Sequence, residues 1–257
     1  MDPRLDLSID GGVARLVIRR ADKLNALDSA MVDTLPLLCR EIERSSARVV
    51  ILTGEGKSFC AGGDIAAWSA LSAQDFGERW LRDGHAAFDA LARLRQPLIA
   101  VLNGHCLGGG LELGACADLR IAEVHVKIGL PETGLGVIPG WSGTQRASRR
   151  FGAQLVRRMA LFAEVFSSEQ ALALGLVDLI VPTGEGMAAA LAAADRVMTR
   201  SARATELTKM LINVAEGEEH GRIVEVLAGQ IAAGSDELAE GLAAFHAKRK
   251  PRFRGKD

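Results

Sequence analysis

No stretch of this chain approaches the roughly 18 consecutive apolar residues that a membrane-spanning helix needs. The apolar run Pro97-Leu98-Ile99-Ala100-Val101-Leu102 has the length of a strand. No cationic leader followed by an apolar segment opens the N-terminus, so no secretory signal is expected. Net charge is also lacking: 31 basic side chains face 32 acidic ones, for a formal −1. Such a balance supplies no field that favours nucleic acid or an anionic lipid surface, and any basic site must be local. Cysteine is scarce and scattered. Cys39, Cys60, Cys106 and Cys116 show no C-x-x-C spacing, which argues against zinc or a disulfide framework and for buried thiols in a reducing compartment. A cytoplasmic enzyme is the default expectation, with neither nucleic acid nor membrane as partner.

Several catalytic signatures are missing as well. His85, His105, His125, His220 and His246 show no H-E-x-x-H or other ligand spacing, so no metal site is expected. Neither the G-x-G-x-x-G dinucleotide fingerprint nor the G-x-x-x-x-G-K-S/T nucleotide loop is present. Gly140-Trp141-Ser142-Gly143 departs from the G-x-S-x-G nucleophile elbow. Ser142 is therefore a poor nucleophile and reads instead as the cap of a helix beginning at Gly143-Thr144.

What is present is an ordinary globular composition, 48% hydrophobic and 25% charged, on a chain long enough for one large core or a core plus a small lobe. Val13–Ile18 alternates with period two and predicts a strand. Asp28 predicts the cap of a helix running to about Ser45. The β-branched run from Arg48 closes at Gly54 and predicts a buried strand. Residues 73–94 predict a helix, Pro97 opens a strand over Leu98–Leu102, and Asp118–Glu123 predicts another. This β-α-β rhythm implies an α/β core. Beyond Ser142 the strand signals thin. Ser167-Ser168-Glu169-Gln170 predicts a helix start, Gly175–Val181 a last strand, and helical periodicity dominates from Gly186 to Phe245. The predicted division is an α/β core over 1–195 and a helical portion over 196–257. The basic run from Lys248 to Arg254 predicts a solvated end.

Three segments could carry chemistry. In Ser58-Phe59-Cys60-Ala61-Gly62-Gly63-Asp64-Ile65, small residues follow a strand and would let a ligand approach backbone N–H groups; taken alone, a tight turn is the favoured reading. In Asn103-Gly104-His105-Cys106-Leu107-Gly108-Gly109-Gly110-Leu111-Glu112-Leu113, three glycines precede a helix-like stretch, a geometry that aims N–H groups at a negative charge. Glu112 fits the bland role of a first-turn helix acid poorly, because Leu111 and Leu113 flank it and an unpaired buried carboxylate is costly. The third, from Gly129 to Arg146, is a long glycine-punctuated loop bearing Glu132, and loops of that kind are often functional.

In order and spacing these three segments, with Lys23-Leu24-Asn25-Ala26-Leu27 before them and Glu240-Gly241-Leu242-Ala243-Ala244-Phe245 after, resemble the enoyl-CoA hydratase/isomerase (crotonase) family. The resemblance runs through nearly the whole chain. It implies an α/β fold, a crotonase-like spiral of β-β-α units, with a C-terminal helical trimerisation region, and hence a homotrimer or a hexamer built as a dimer of trimers. It implies an acyl-CoA thioester as substrate, with coenzyme A part of that substrate and no separate cofactor.

By the same resemblance the N–H groups of Gly63 and Gly109 form an oxyanion hole, and Glu112 and Glu132 are the two acid/base groups of a hydratase. Glu112 would activate water and Glu132 would supply the α-proton. Ala61, Asp64 and Ile65 match the stretch that lines the coenzyme path. Phe245 and Lys248 match positions reaching the nucleotide end, of a neighbouring subunit. Asp22 stands where the family often has lysine. Trp141 is a departure that would either reshape the acyl pocket or pack the loop on the core. Retention of both glutamates favours hydration of a 2-enoyl thioester over double-bond isomerisation, other enolate chemistry, or CoA-ester binding without turnover.

Overall fold

The computed structural model describes residues 1–219 and 221–253, with backbone alone for 221–224; His220 and the Arg254 of the basic run lie outside them. The chain divides into two compact units, 1–211 and 212–257.

The first unit contains two sheets. The larger is ordered β1 (Leu5–Asp10), β2 (Val13–Ile18), β3 (Val49–Gly54), β5 (Leu98–Leu102), β7 (Leu119–Glu123) and β10 (Leu179–Val181). The smaller is ordered β4 (Ser58–Cys60), β6 (His105–Leu107), β8 (Lys127–Gly129) and β9 (Val165–Ser167). Antiparallel pairing is confined to β1 with β2 and β8 with β9. The intervening ladders are parallel. Chain order therefore alternates between sheets: β3 then β4, β5 then β6, β7 then β8, with helical segments after each pair. That is the expected β-β-α spiral.

The central parallel strands β3 and β5 are buried on both faces, and their period-two alternation serves two cores. Val50, Leu52, Leu98, Ala100 and Leu102 face one cluster with Leu35, Leu38, Phe88 and Leu91. Their neighbours Val49, Ile51, Ile99 and Val101 face a second, with Ala190, Ala193 and Ala194. The helix Ser29–Arg44 begins where expected, with the Asp28 carboxylate accepting from Met31 N–H at 3.2 Å. Ser167 and Gln170 form a reciprocal capping box that opens the helix Ser168–Ala173.

Three departures from expectation matter. The small sheet carried no readable strand signal, because its strands are three residues long and alternation cannot be recognised over that length. The strand expected over Gly175–Val181 is confined to Leu179–Val181, since Gly175 turns the chain at φ +75°. The helix expected over 73–94 forms in three pieces: Ala73–Asp75, a π-helical turn over Phe76–Leu81, and Arg82–Ala92. Such π turns are frequent at functional sites, and this one delivers Phe76, Trp80 and Leu81 to the cleft described below.

Within the second unit, helices Gly221–Ala233 and Asp236–His246 follow the predicted helical pattern. Ser235 caps the latter by accepting from Leu238 N–H. Among the described residues no helix is long and apolar enough to cross a membrane.

Candidate active site

All four cysteines are free and buried. Among the described residues no cluster of histidine, cysteine, aspartate and glutamate could hold a metal ion. The chemistry gathers in a cleft of the first unit lined by residues from each of the three singled-out segments.

The 61–65 segment enters as an extended stretch beside Leu27. Leu27 N–H donates to Gly62 O and Asp64 N–H donates to Leu27 O, each at 2.8 Å. That parallel pairing uses the carbonyl before Gly63 and the N–H after it, so the N–H of Gly63 lies on the opposite edge of the chain. It has no acceptor among the described residues. Ala61 and Ile65 line the cleft; Asp64 does not. The Asp64 carboxylate pairs with Arg20 at 2.6 Å and accepts from Ala66 N–H, which caps the short helix Ile65–Trp68.

Gly109 is the first residue of the helix Gly109–Gly114. Its N–H is one of the donors a helix start leaves without an intrahelical partner, and no other acceptor meets it among the described residues. The two glycines are neighbours: a Cβ built on Gly109 would lie 3.4 Å from Gly63 N. Indole rings back both of them. A Cβ on Gly63 would stand 2.7 Å from Trp80 Cζ2 and 3.3 Å from Trp141 Cη2, and one on Gly109 would stand 3.2 Å from Trp141 Cε3.

Glu112, on that same short helix, is 2% exposed. Its Oε1 accepts from Trp141 N–H at 2.7 Å and from Gly143 N–H at 2.5 Å, which leaves Oε2 for the cleft. Burial, aided by the charge of Glu132, pushes its carboxyl up to about 8 against the pull of those two N–H donors. Glu132 opens the turn Glu132–Leu135. Thr133 ties that turn down by donating its hydroxyl to Ala160 O at 2.9 Å. Both carboxyl oxygens of Glu132 are buried without a partner, and burial pushes it up to about 7. Its Oε1 lies 3.1 Å from where a Cβ on Gly108 would be. Two carboxyls thus face one cleft, one oriented by donors and the other bare.

Trp141 packs its loop on the core and also borders the cleft. Its ring lines the cleft and is 3% exposed. Its Nε1 donates to Trp80 O at 3.1 Å, and it packs on Trp80 and edge-on to Phe88 at 4.8 and 5.2 Å between ring centroids. Ser142 does not cap a helix. The next helix is Arg146–Phe151, preceded by Gln145, because Ser142 spends its hydroxyl on His85 Nδ1 at 3.0 Å. Phe245 and Lys248 belong to the second unit, where Phe245 is 78% exposed.

Sequence reasoning missed Trp68, Phe76, Trp80 and Leu81, which form much of the apolar wall. The concentration of aromatics over residues 68–80 was the available signal; their convergence required the π turn.

The family model for enoyl-CoA hydratase/isomerase matches residues 8–256. A short-chain-enoyl-CoA hydratase of Clostridium acetobutylicum is 37% identical over 209 residues, covering 80% of each chain. A crotonyl-CoA hydratase of Syntrophomonas wolfei is 33% identical over 248 residues, covering 94% of each. The crystal structure of an enoyl-CoA hydratase from Bacillus anthracis superposes with a TM-score of 0.80 at 30% identity, covering 98% of this chain and all of that one. With the spiral fold, the two-glycine edge and the paired glutamates, this chain belongs to the enoyl-CoA hydratase/isomerase family.

Proposed function

We propose that the protein is an enoyl-CoA hydratase, adding water reversibly across the 2,3 double bond of a 2-enoyl-CoA thioester. The observation that carries this reading is the convergence, in one cleft, of two carboxyls and two unengaged backbone N–H groups. The thioester oxygen docks between the N–H groups of Gly63 and Gly109. As water attacks the β-carbon, electrons move through the conjugated system onto that oxygen. Preorganised donors stabilise the resulting enolate, and the loss of one such donor from an acyl-transfer site costs about 10²–10³ in rate.

The two carboxyls divide the protons. As a coupled pair they titrate near 7 and 8, so between those values they hold one proton together. The N–H groups of Trp141 and Gly143 favour charge on Glu112, whereas Glu132 has only its own backbone N–H to do so; the deeper burial of Glu112 outweighs this difference and holds it the higher of the two. By family likeness Glu112 accepts a proton from the attacking water and Glu132 delivers one to the α-carbon, the shared proton passing within the pair. The sum is one water added, and the proton on Glu112 passes back to Glu132 before the next turnover. No step calls on a metal or a nicotinamide; coenzyme A enters only as part of the substrate.

The indoles of Trp80 and Trp141, close behind the two glycines, support a short acyl group, as do the names of the two hydratase relatives. The coenzyme follows Ala61 and Ile65, with the Asp64 carboxylate turned aside to Arg20. By family likeness the helices after about residue 196 assemble a trimer, alone or stacked as a hexamer, in the cytoplasm. Phe245 and Lys248 then reach the nucleotide end of a neighbour's substrate.

Crotonyl-CoA supplied to the purified protein should lose its conjugated absorbance. Action only on 3-enoyl thioesters would point to an isomerase. Tight binding of enoyl thioesters without turnover would point to a binding protein.

A further inference from the structure

Glu112 is oriented by two peptide groups, and the residue between them carries a cost. Ser142 is buried and has φ +82°, a conformation that favours glycine. For a residue with a side chain it is strained and persists only where the surroundings hold it. The conformation has a use: it turns the N–H groups of Trp141 and Gly143 onto the same oxygen, Glu112 Oε1, in the manner of a backbone nest around an anion.

What holds it comes from the helix Arg82–Ala92. Gly84 admits the indole of Trp141 so closely that a Cβ there would lie 1.9 Å from Nε1. His85 Nδ1 meets the Ser142 hydroxyl at 3.0 Å. Phe88 packs edge-on against Trp141, and Asp89 pairs with Arg146 at 2.6 Å. Of these contacts, His85 alone grips the strained residue itself. Burial lowers the proton affinity of His85, and Arg146 adds to this against the opposing charge of Asp89. A neutral imidazole can accept the hydroxyl proton at Nδ1.

We propose that His85 and Ser142 are a positioning pair: their hydrogen bond keeps the Trp141–Gly143 turn in the strained form that presents two N–H groups to Glu112. Neither touches the reacting atoms in this account. The inference rests on the catalytic role assigned to Glu112, but the orientation of Glu112 can be read without turnover.

The test uses His85→Ala, Ser142→Ala, the two together, and His85→Ala combined with Ser142→Gly. The readouts are kcat and KM on crotonyl-CoA, together with the carboxyl titration of Glu112 followed by ¹³C NMR on glutamate-labelled protein. Each alanine variant should lose about tenfold in kcat, equivalent to about 1.4 kcal/mol, with KM little changed. Each should also titrate Glu112 higher, because slackened N–H donors favour its charge less. The double alanine variant should be no worse than either single one, since both remove one interaction. Ser142→Gly in the His85→Ala background should recover most of the loss, because glycine adopts the turn unaided. Wild-type kcat and an unshifted Glu112 in both single variants would overturn the proposal, as would a glycine variant no better than His85→Ala. If the wild-type protein hydrates no enoyl thioester, the hydratase reading fails by itself and the Glu112 titration alone decides the pair.

Discussion

The ring edge of Trp80 stands 2.7 Å from the point a Cβ on Gly63 would occupy. The backbone edge proposed to bind the thioester oxygen is thus backed by an indole, and the smallness of residue 63 is required by the protein as well as by any ligand. Gly63→Ala must displace Trp80 or the 61–64 segment. Overpacking of this kind costs about 1–3 kcal/mol. A lower melting temperature and a reduced kcat are expected, with partial recovery in Gly63→Ala combined with Trp80→Phe, where the smaller ring leaves room. Calorimetry and the crotonyl-CoA assay check both parts.

Glu112→Gln and Glu132→Gln should each lower hydration by about 10²–10⁴-fold, the usual contribution of a positioned acid or base. Affinity for a saturated acyl-CoA, measured by isothermal titration, should change little, because the amide keeps the shape of the acid. Turnover at the wild-type level in either variant would remove that residue from the mechanism.

The pH profile follows from the pair. Below about 7 both carboxyls are protonated and no base remains; above about 8 both are ionised and no acid remains. A bell-shaped kcat/KM with limbs near those values is expected, and a profile flat from pH 5 to 9 would contradict it.

Stability should carry the opposite mark of the same burial. Glu132 in the folded protein titrates near 7 against an ordinary 4.5, so between those values the folded state holds more protons than the unfolded one. Stability then falls as pH rises through the window and levels off above it. Glu132→Gln cannot ionise and escapes that fall. It should match the wild type at pH 4 and melt several degrees higher at pH 9, at about 2–4 °C per kcal/mol. Thermal melts at the two pH values decide the matter.

Much of this protein is legible one residue after another. Residues 49–52 and Leu98–Leu102 are apolar throughout because parallel strands covered on both faces must be. Asp28 and Ser167 punctuate the chain through local hydrogen bonds that need no distant partner. The glycines near 63 and 109 and the two glutamates could be singled out by composition and order, since small residues before a helix and an acid among leucines are locally anomalous.

Tertiary structure decided the rest, because it depends on groups far apart in the chain. The small sheet has strands too short to announce themselves and takes its register from the neighbours it pairs with. Ser142 looked like a helix cap until His85, 57 residues earlier, claimed its hydroxyl. The acidity of Glu112 and Glu132 is set by burial and, for Glu112, by N–H groups of two residues about thirty positions further along the chain. Desolvation and hydrogen-bond geometry are properties of the packed interior, and no window of sequence contains them.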